Sequence, residues 1–560
     1  MLSKSLLDPT PSNRRLHSSP TNAVLVTMVL AFLVILPQVA SGAIHTVCAS
    51  GCDFTRIAPA VAAAQSGDEI VLQVEWPQVH TEAGLVIDKN LTLRGLGREI
   101  TVLQAASTVE SATDRILSVG QGASFFLQDL TLRHGSQLQG GAVLVDGQAG
   151  FTTDLTVRRV RFQDNRATSL GGGLYAGFST VITVIDSVFE GNAAPQGGGF
   201  HTFGADINVR ESLIRGNDAD LGGGAFHSNG DFLLWNSTVT ENTASMESGG
   251  LHIPNSLPVL RHVTLVDNSA PTTGGLTHLA ATVSNTVIAD NPGGDCSREI
   301  VGAGPRNWDS DGSCGISVVG TGDPELGPLR DNGGPTLTRA PQEESPLLDA
   351  GRSSDCALSD QRGLDRDLGG DCDIGAYERY EIKTCESPNL TIPDGEPAGV
   401  SQTVFLDTPD GVVDRIVDVN ASLFVLHGWV GDLTTELSHD GISVALLDRP
   451  GIPATQTGCS HDDILAAFDS SMDQPAEDEC STTGFAIGGR FAPHDSLDGF
   501  RRRAGNGDWT LTITDELAGF PGSLLSWCVY VELFDGPPET PLFSDGFETG
   551  DLMGWTGASP

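Results

Sequence analysis

The sequence predicts an all-β protein in two parts: a parallel β-helix with three strands per coil of about 25 residues, then a β-sandwich. Three observations predict it. Gly-Gly pairs begin at 140, 172, 198, 223, 249 and 274, in steps of 32, 26, 25, 26 and 25, and asparagines recur in step at Asn165, Asn192, Asn217, Asn242, Asn268 and Asn291. Glycine is abundant (68 of 560 residues) without a collagen-like period, as a chain of short strands and tight turns requires. After Cys385 the repeat stops and longer strands with alternating apolar residues take over, as in GISVALLD (441–448) and GDWTLTITDE (507–516).

At the N-terminus, Lys4, Arg14 and Arg15 precede an apolar run over 23–36, and small residues follow at Ala40, Ser41, Gly42 and Ala43. This order reads as a secretory signal peptide over 1–43. The run of 14 residues is shorter than the roughly 20 that span a bilayer, so no transmembrane segment is expected after signal cleavage. Ten cysteines fall into local pairs that suit an oxidising compartment: Cys48-Cys52, Cys296-Cys314, Cys356-Cys372 and Cys459-Cys480, with Cys385-Cys528 bracketing the C-terminal part. The formal charge of −41 repels phosphate and anionic lipid, which removes nucleic acid as a partner. With only Lys4, Lys89 and Lys383, lysine chemistry has almost no material.

Within the repeat, one unit reads ITV (182–184), SVFEGN (187–192), GGGFHT (197–202), and the next INV (207–209), SLIRGN (212–217), GGGAFH (222–227). Three strands per unit suit a solenoid coil, since a propeller blade needs about 40 residues or more. Coils about 4.8 Å apart would stack the asparagines into a ladder that satisfies its own amides. Phe162, Phe189, Ile214, Val239, Leu265 and Ile288 would stack as a core. Small apolar residues at helical spacing over 56–68 predict a helix that covers the open end.

Candidate functional residues are few. Three places after each Gly-Gly stand Val143, Tyr175, His201, Phe226, His252 and Thr277, an outward column whose rings offer a strip for sugar stacking or protein contact. Tyr175, His201, Phe226 and His252 are its candidate binding residues. His201 and His252 fall two coils, about 9.6 Å, apart, too far to share a zinc ion. In the C-terminal part Asp432 and Asp440 are candidate ligands for calcium, the one cofactor its acid-rich loops suggest. No residue is assigned a catalytic role. Glycosidase action needs two opposed carboxyls, and Asp164 shares its turn column with Gly191, Gly216, Glu241 and Asp267 rather than with a run of acids.

The motifs also carry family resemblances. FQDN (162–165), FEGN (189–192) and the Gly-Gly motifs resemble polymorphic outer-membrane-protein repeats, which implies a right-handed parallel β-helix of the pectin-lyase-like superfamily over 44–322. The stretch DPELGPLRDNGG to DIGAYE (323–378) resembles the segment that ends many bacterial surface β-helix proteins, implying a C-terminal cap over 323–381. After a linker at 382–388, residues 389–534 resemble the P (Homo B) domain of kexin- and furin-like convertases and some bacterial subtilisin-like proteases. The resemblance rests on VGDLTTEL (430–437), GRFAPHDSLDGF (489–500) and SWCVYVEL (526–533), and implies a jelly-roll sandwich. The Asp, His-Gly-Thr and Gly-Thr-Ser motifs of a subtilisin-like catalytic domain do not occur. Residues 535–560 read as a flexible tail. Together these predict a secreted or cell-surface binding or adhesion protein with a glycan or surface-protein ligand. The alternative is an exported hydrolase, peptidase-related through the P-like part or polysaccharide-active through the β-helix.

Overall fold

The computed structural model describes residues 42–73, 78–120, 122–147, 150–300, 306–315, 318–342, 345–364, 366, 371–379, 381–408, 414–452 and 457–535. The signal peptide, apart from its last two residues, and the tail beyond 535 lie outside the described residues.

The chain is all-β, and its first part is a parallel β-solenoid. One strand per coil builds an eight-stranded parallel sheet: Leu85–Ile87, Leu117–Val119, Val143–Val145, Leu174–Ala176, Phe200–Phe203, Ala225–Ser228, Leu251–Ile253 and Leu276–His278, in chain order. Most other solenoid strands join a 17-stranded sheet, in which Thr180–Ile185 pairs with Asp206–Arg210, and Val188–Glu190 with Leu213–Arg215, while Ser136–Gln139 with Arg166–Leu170 and Asp218–Leu221 with Thr243–Glu247 form two-stranded parallel sheets. The expected three short strands per unit are therefore present.

Columns of left-handed residues set the corners. One runs Arg159, Asp186, Glu211, Asn236, His262 and Asn285; a second runs His134, Asp164, Gly191, Gly216, Glu241, Asp267 and Asp290. A third runs Gly140, Gly171, Gly197 and Gly222, then Ser248 and Thr273. A positive φ reverses the chain within one residue, and glycine adopts it without a Cβ clash. At Gly171 an added Cβ would lie 2.1 Å from the Leu174 carbonyl oxygen. Between corners, every second residue turns inward. Phe162 and Phe189 stack at 4.4 Å and 3°, and Ile214, Val239, Leu265 and Ile288 continue the same buried column.

Directly after the second corner comes the asparagine ladder. Each side-chain amide donates to the next asparagine's Oδ1 at 2.8–3.0 Å, from Asn165 through Asn192, Asn217, Asn242 and Asn268 to Asn291. The same Oδ1 accepts the previous asparagine's backbone N–H, and the second amide hydrogen reaches a carbonyl of the preceding coil. Gly135 N–H enters the ladder at one end, and Asp295 accepts from Asn291 at the other.

The predicted helix is present at Ile57–Ala63, with Ile57, Ala60 and Val61 buried against the solenoid core. Glu82 accepts the backbone N–H groups of Ile57 and Ala58 and so caps its start. The segment expected as an end cap packs along the outer face of the large sheet. Gly375 N–H donates to the Asn285 carbonyl, Ala357 N–H to His262 Nε2, and Thr238 Oγ1 to Gln361 Oε1.

The C-terminal part has two sheets. Four antiparallel strands run in the order Val400–Leu406, Gly507–Asp515, Leu433–His439, Ile442–Asp448. A six-stranded sheet is centred on Gly522–Asp535 and Asp414–His427. Trp509, Leu511 and Leu437 from the first sheet share one core with Trp527, Val531 and Phe468 from the second. All five expected cysteine pairs are disulfides.

The ladder predicts its own fragility. Asn217→Ala removes two acceptor bonds and two donor bonds at a fully buried site. It is expected to cost about 2–5 kcal/mol, read as a lower denaturation midpoint, whereas Asn255→Ala on an exposed outer turn should shift it by under about 0.5 kcal/mol.

Candidate ligand-binding strip

The eight-stranded sheet carries the candidate site. Its strands are three or four residues long, so the residue after each inward-facing first position points away from the core. Register pairing joins Val86, Ser118, Leu144, Tyr175, His201, Phe226, His252 and Thr277 into one continuous column. Leu144, not Val143, is the member from its coil. Val143 pairs with Leu174 and is fully buried in the core. The reason is local. Gly140 and Gly141 align with the first two glycines of the triplet 171–173, so counting from the pair at 172 slips by one residue and changes face.

The four predicted residues form a single stack. Tyr175 and His201 have ring centroids 5.5 Å apart, His201 and Phe226 4.6 Å, and Phe226 and His252 4.9 Å. His201 and His252 are buried, Tyr175 and Phe226 half-buried. Each ring face lies against the next coil's ring, so the strip presents ring edges outward. An open row of faces for flat sugar stacking is not what the geometry offers.

Burial sets the protonation of the stack. It drives His201 down to about 4, helped by the nearby His227, and leaves Nδ1 buried without a hydrogen bond. Burial also lowers His252, against the pull of Glu247, and Ser248 Oγ lies 3.1 Å from its Nδ1. Burial and then Asp146 raise the Tyr175 hydroxyl. The strip is therefore an uncharged surface at neutral pH.

On the N-terminal side of Tyr175 the column opens into a groove of about 420 Å³, with Val86, Ser118 and Leu144 along it and Asp88 and Asp146 beside them. Sequence reading missed this part, because Val86 and Ser118 precede the regular Gly-Gly repeat. Apolar residues flanked by acids suit contact with a partly apolar, hydroxyl-rich or cationic group.

Asp432 and Asp440 do not form one calcium site. They stand at opposite ends of strand Leu433–His439, so eight residues of extended chain separate them by about 27 Å. Asp440 pairs with Arg503 on an exposed turn. Asp432 is buried beside Asp515; burial first, then that charge, raises it. A different set of oxygens converges at the last regular coils. Asp295, Asp309 and Asp311 offer carboxylate oxygens within 4.8 Å of one another. Burial and the two neighbouring acids push Asp309 up to about 6. Three carboxylates are short of the six to eight oxygens calcium takes, and backbone N–H groups of Gly312, Cys314 and Gly315 already occupy Asp309. The sequence signal was the Asp-Ser-Asp-Gly of 309–312, unread because it sits outside the repeat. Cys459, His461 and Cys480 also cluster, but both sulfurs are committed to a disulfide.

Among the described residues no serine, histidine and acid form a hydrogen-bonded chain. His427 is buried against Asp515 at 3.2 Å, with its other ring nitrogen near the Trp429 carbonyl. Ser248 meets His252, but no acid is bonded to that ring, and Ser248 is fully buried.

No family model matches the chain, and no curated protein matches it. Among solved structures, the serine protease of Aeromonas sobria, alone and in complex with its chaperone, is similar at 17% identity with a TM-score of 0.19. The alignment covers 29% of this chain and 28% of that protease, well under two thirds of its length. A likeness of that extent says nothing of this chain's activity.

The stack predicts an acid-sensitive solenoid. His201 has a folded pKa below its ordinary 6.5, so the unfolded chain takes the proton first. Stability from this group is full above pH 6.5 and falls as pH drops toward about 4, by up to tenfold per pH unit in the unfolding equilibrium. Unfolding midpoints across that window, compared between wild type and His201→Phe, check this. The variant should show a shallower fall.

Proposed function

We propose that this chain is a secreted or cell-surface binding protein whose solenoid presents the outward column and its groove to a glycan or a surface protein. In this reading the solenoid is a right-handed, pectin-lyase-like β-helix, and the C-terminal sheets are a P-like accessory domain. The observation that carries the reading is the unbroken column of eight register-paired residues from Val86 to Thr277, with a groove at one end and rings at the other. Solenoids use such extended surfaces for recognition. Five disulfides, with no free cysteine among the described residues, support maturation in an oxidising compartment. The non-catalytic part of the reading is supported by the missing subtilisin motifs and by the isolated, buried Ser248–His252 contact.

Screening the full chain on a glycan array, with pull-down from its native surroundings, tests the reading. The variant Leu144→Lys with Tyr175→Ala alters the groove and the end of the ring stack. It is expected to weaken the captured interaction at least about tenfold, the cost of roughly 1.4 kcal/mol of lost contact. Unchanged capture would move the site elsewhere. Stoichiometric labelling by a serine-directed fluorophosphonate would overturn the non-catalytic reading.

A further inference from the structure

Where the returning segment meets the C-terminal sheets, the interface is ionic and buried. Tyr377 donates its hydroxyl to Glu532 in strand Gly522–Asp535, and Arg362 lies 3.5 Å over the Tyr377 ring. Arg362 and Arg379 flank the same carboxylate at 3.8 and 3.9 Å. Beside it, Arg330 pairs with Asp418 of strand Asp414–His427 at 3.2 Å, and Asp418 is the register partner of Glu532. Glu381, the other register partner, takes Arg379. Behind Arg362 stand Asp360, at 2.8 Å, and the pair Arg366–Glu378, whose carboxylate also accepts the Asp373 N–H.

The charges do not balance. Four guanidinium groups (Arg330, Arg362, Arg366 and Arg379) face six carboxyls: Asp360, Asp373, Glu378, Glu381, Asp418 and Glu532. Next to Asp418 a seventh acid, Asp469, is held by Arg490. Glu381 is partly exposed, so five buried carboxyls stand against the four guanidinium groups, and the one negative charge in excess, at sites less than a tenth exposed, is too expensive to keep ionised without a partner. Holding protons is the lower-energy solution.

We propose that this seam is an acid-tightened latch, in which protons shared among Glu532 and its neighbouring carboxyls hold the returning segment of the solenoid against the C-terminal sheets. Each element packed on Glu532 contributes a charged group: Arg330, Arg362 and Arg379 favour its ionised form, while Asp360 and Asp373 oppose it. Burial, outweighing the arginines, pushes Glu532 up to about 7. Burial followed by Asp373 pushes Glu378 up to about 8. These directions reverse the common behaviour of carboxylates. The docked form holds protons that the undocked form has released, so docking is strongest below the ordinary carboxyl range. It weakens as pH rises from about 4.5 toward 7 for Glu532 and toward 8 for Glu378.

Hydrogen–deuterium exchange on the full chain, corrected for intrinsic rates, tests the latch at about pH 5 and about pH 8. Each linked proton contributes up to about tenfold per pH unit over its window. Peptides covering 371–379 and 526–533 should be at least about tenfold better protected at the lower pH, whereas ladder peptides around 207–217, in the coil next to His201, should gain no protection there. Glu532→Gln keeps an oxygen for the Tyr377 hydroxyl but cannot titrate, and should reduce that difference to the part carried by Glu378. Equal seam protection at both pH values in the wild type overturns the proposal without recourse to the variant. So does a Glu532→Gln protein that folds and keeps the full pH dependence.

Discussion

Six successive coils of the solenoid each bury an asparagine that must be satisfied, and that requirement orders the rest. The amide can be satisfied only if the next coil brings its own asparagine to the same corner, about 4.8 Å away. The ladder therefore holds strand register over six coils, with Gly135 and Asp295 closing its ends. Once register is held, the left-handed corners align, Phe162 lies on Phe189, and the outward column forms without further instruction. A buried polar group is usually a hazard to stability, but here it specifies one register because any slip would leave amides unpaired.

The same stacking limits what the surface can do. Rings one coil apart are near van der Waals distance, so Tyr175, His201, Phe226 and His252 cover one another's faces and exclude water from the imidazoles. What remains for a partner is a rim of ring edges leading into the groove beside Leu144. A hydrolytic centre needs acids and bases to converge from different elements, and a stack of equivalent positions repeats one residue type along a line instead. Convergence occurs where the repeat ends. Asp295, Asp309 and Asp311 gather at the last regular coils, and the charged seam gathers where the returning segment meets the C-terminal sheets.

Both regions concentrate carboxyls in a chain that already carries a large negative charge. In the seam the arginines are outnumbered, and burial raises the neighbouring acids instead of letting all of them ionise. The joint between the two parts of the molecule thus differs in kind from the solenoid interior, where neutral amides and apolar side chains do the holding.

The coil period, three strands per coil, the asparagine ladder, the inward apolar stack, the N-terminal helix and four cysteine pairs were legible in the sequence, because each is local or repeats at a fixed interval; Cys385–Cys528, 143 residues apart, was legible as the pair the local ones left over. Non-local facts were not. A single-residue ambiguity in the glycine run at 171–173 decided whether Val143 or Leu144 faces outward, since side chains alternate along a strand and only pairing with the next coil settles the face. Asp432 and Asp440 are close in sequence yet lie at opposite ends of an extended strand, whereas Asp295 and Asp309 are 14 residues apart and meet. The path of the returning segment, the neutrality of His201 and the partners of Glu532 depend on which surfaces exclude water from one another. Sequence spacing carries no record of that, because burial is a property of the assembled fold.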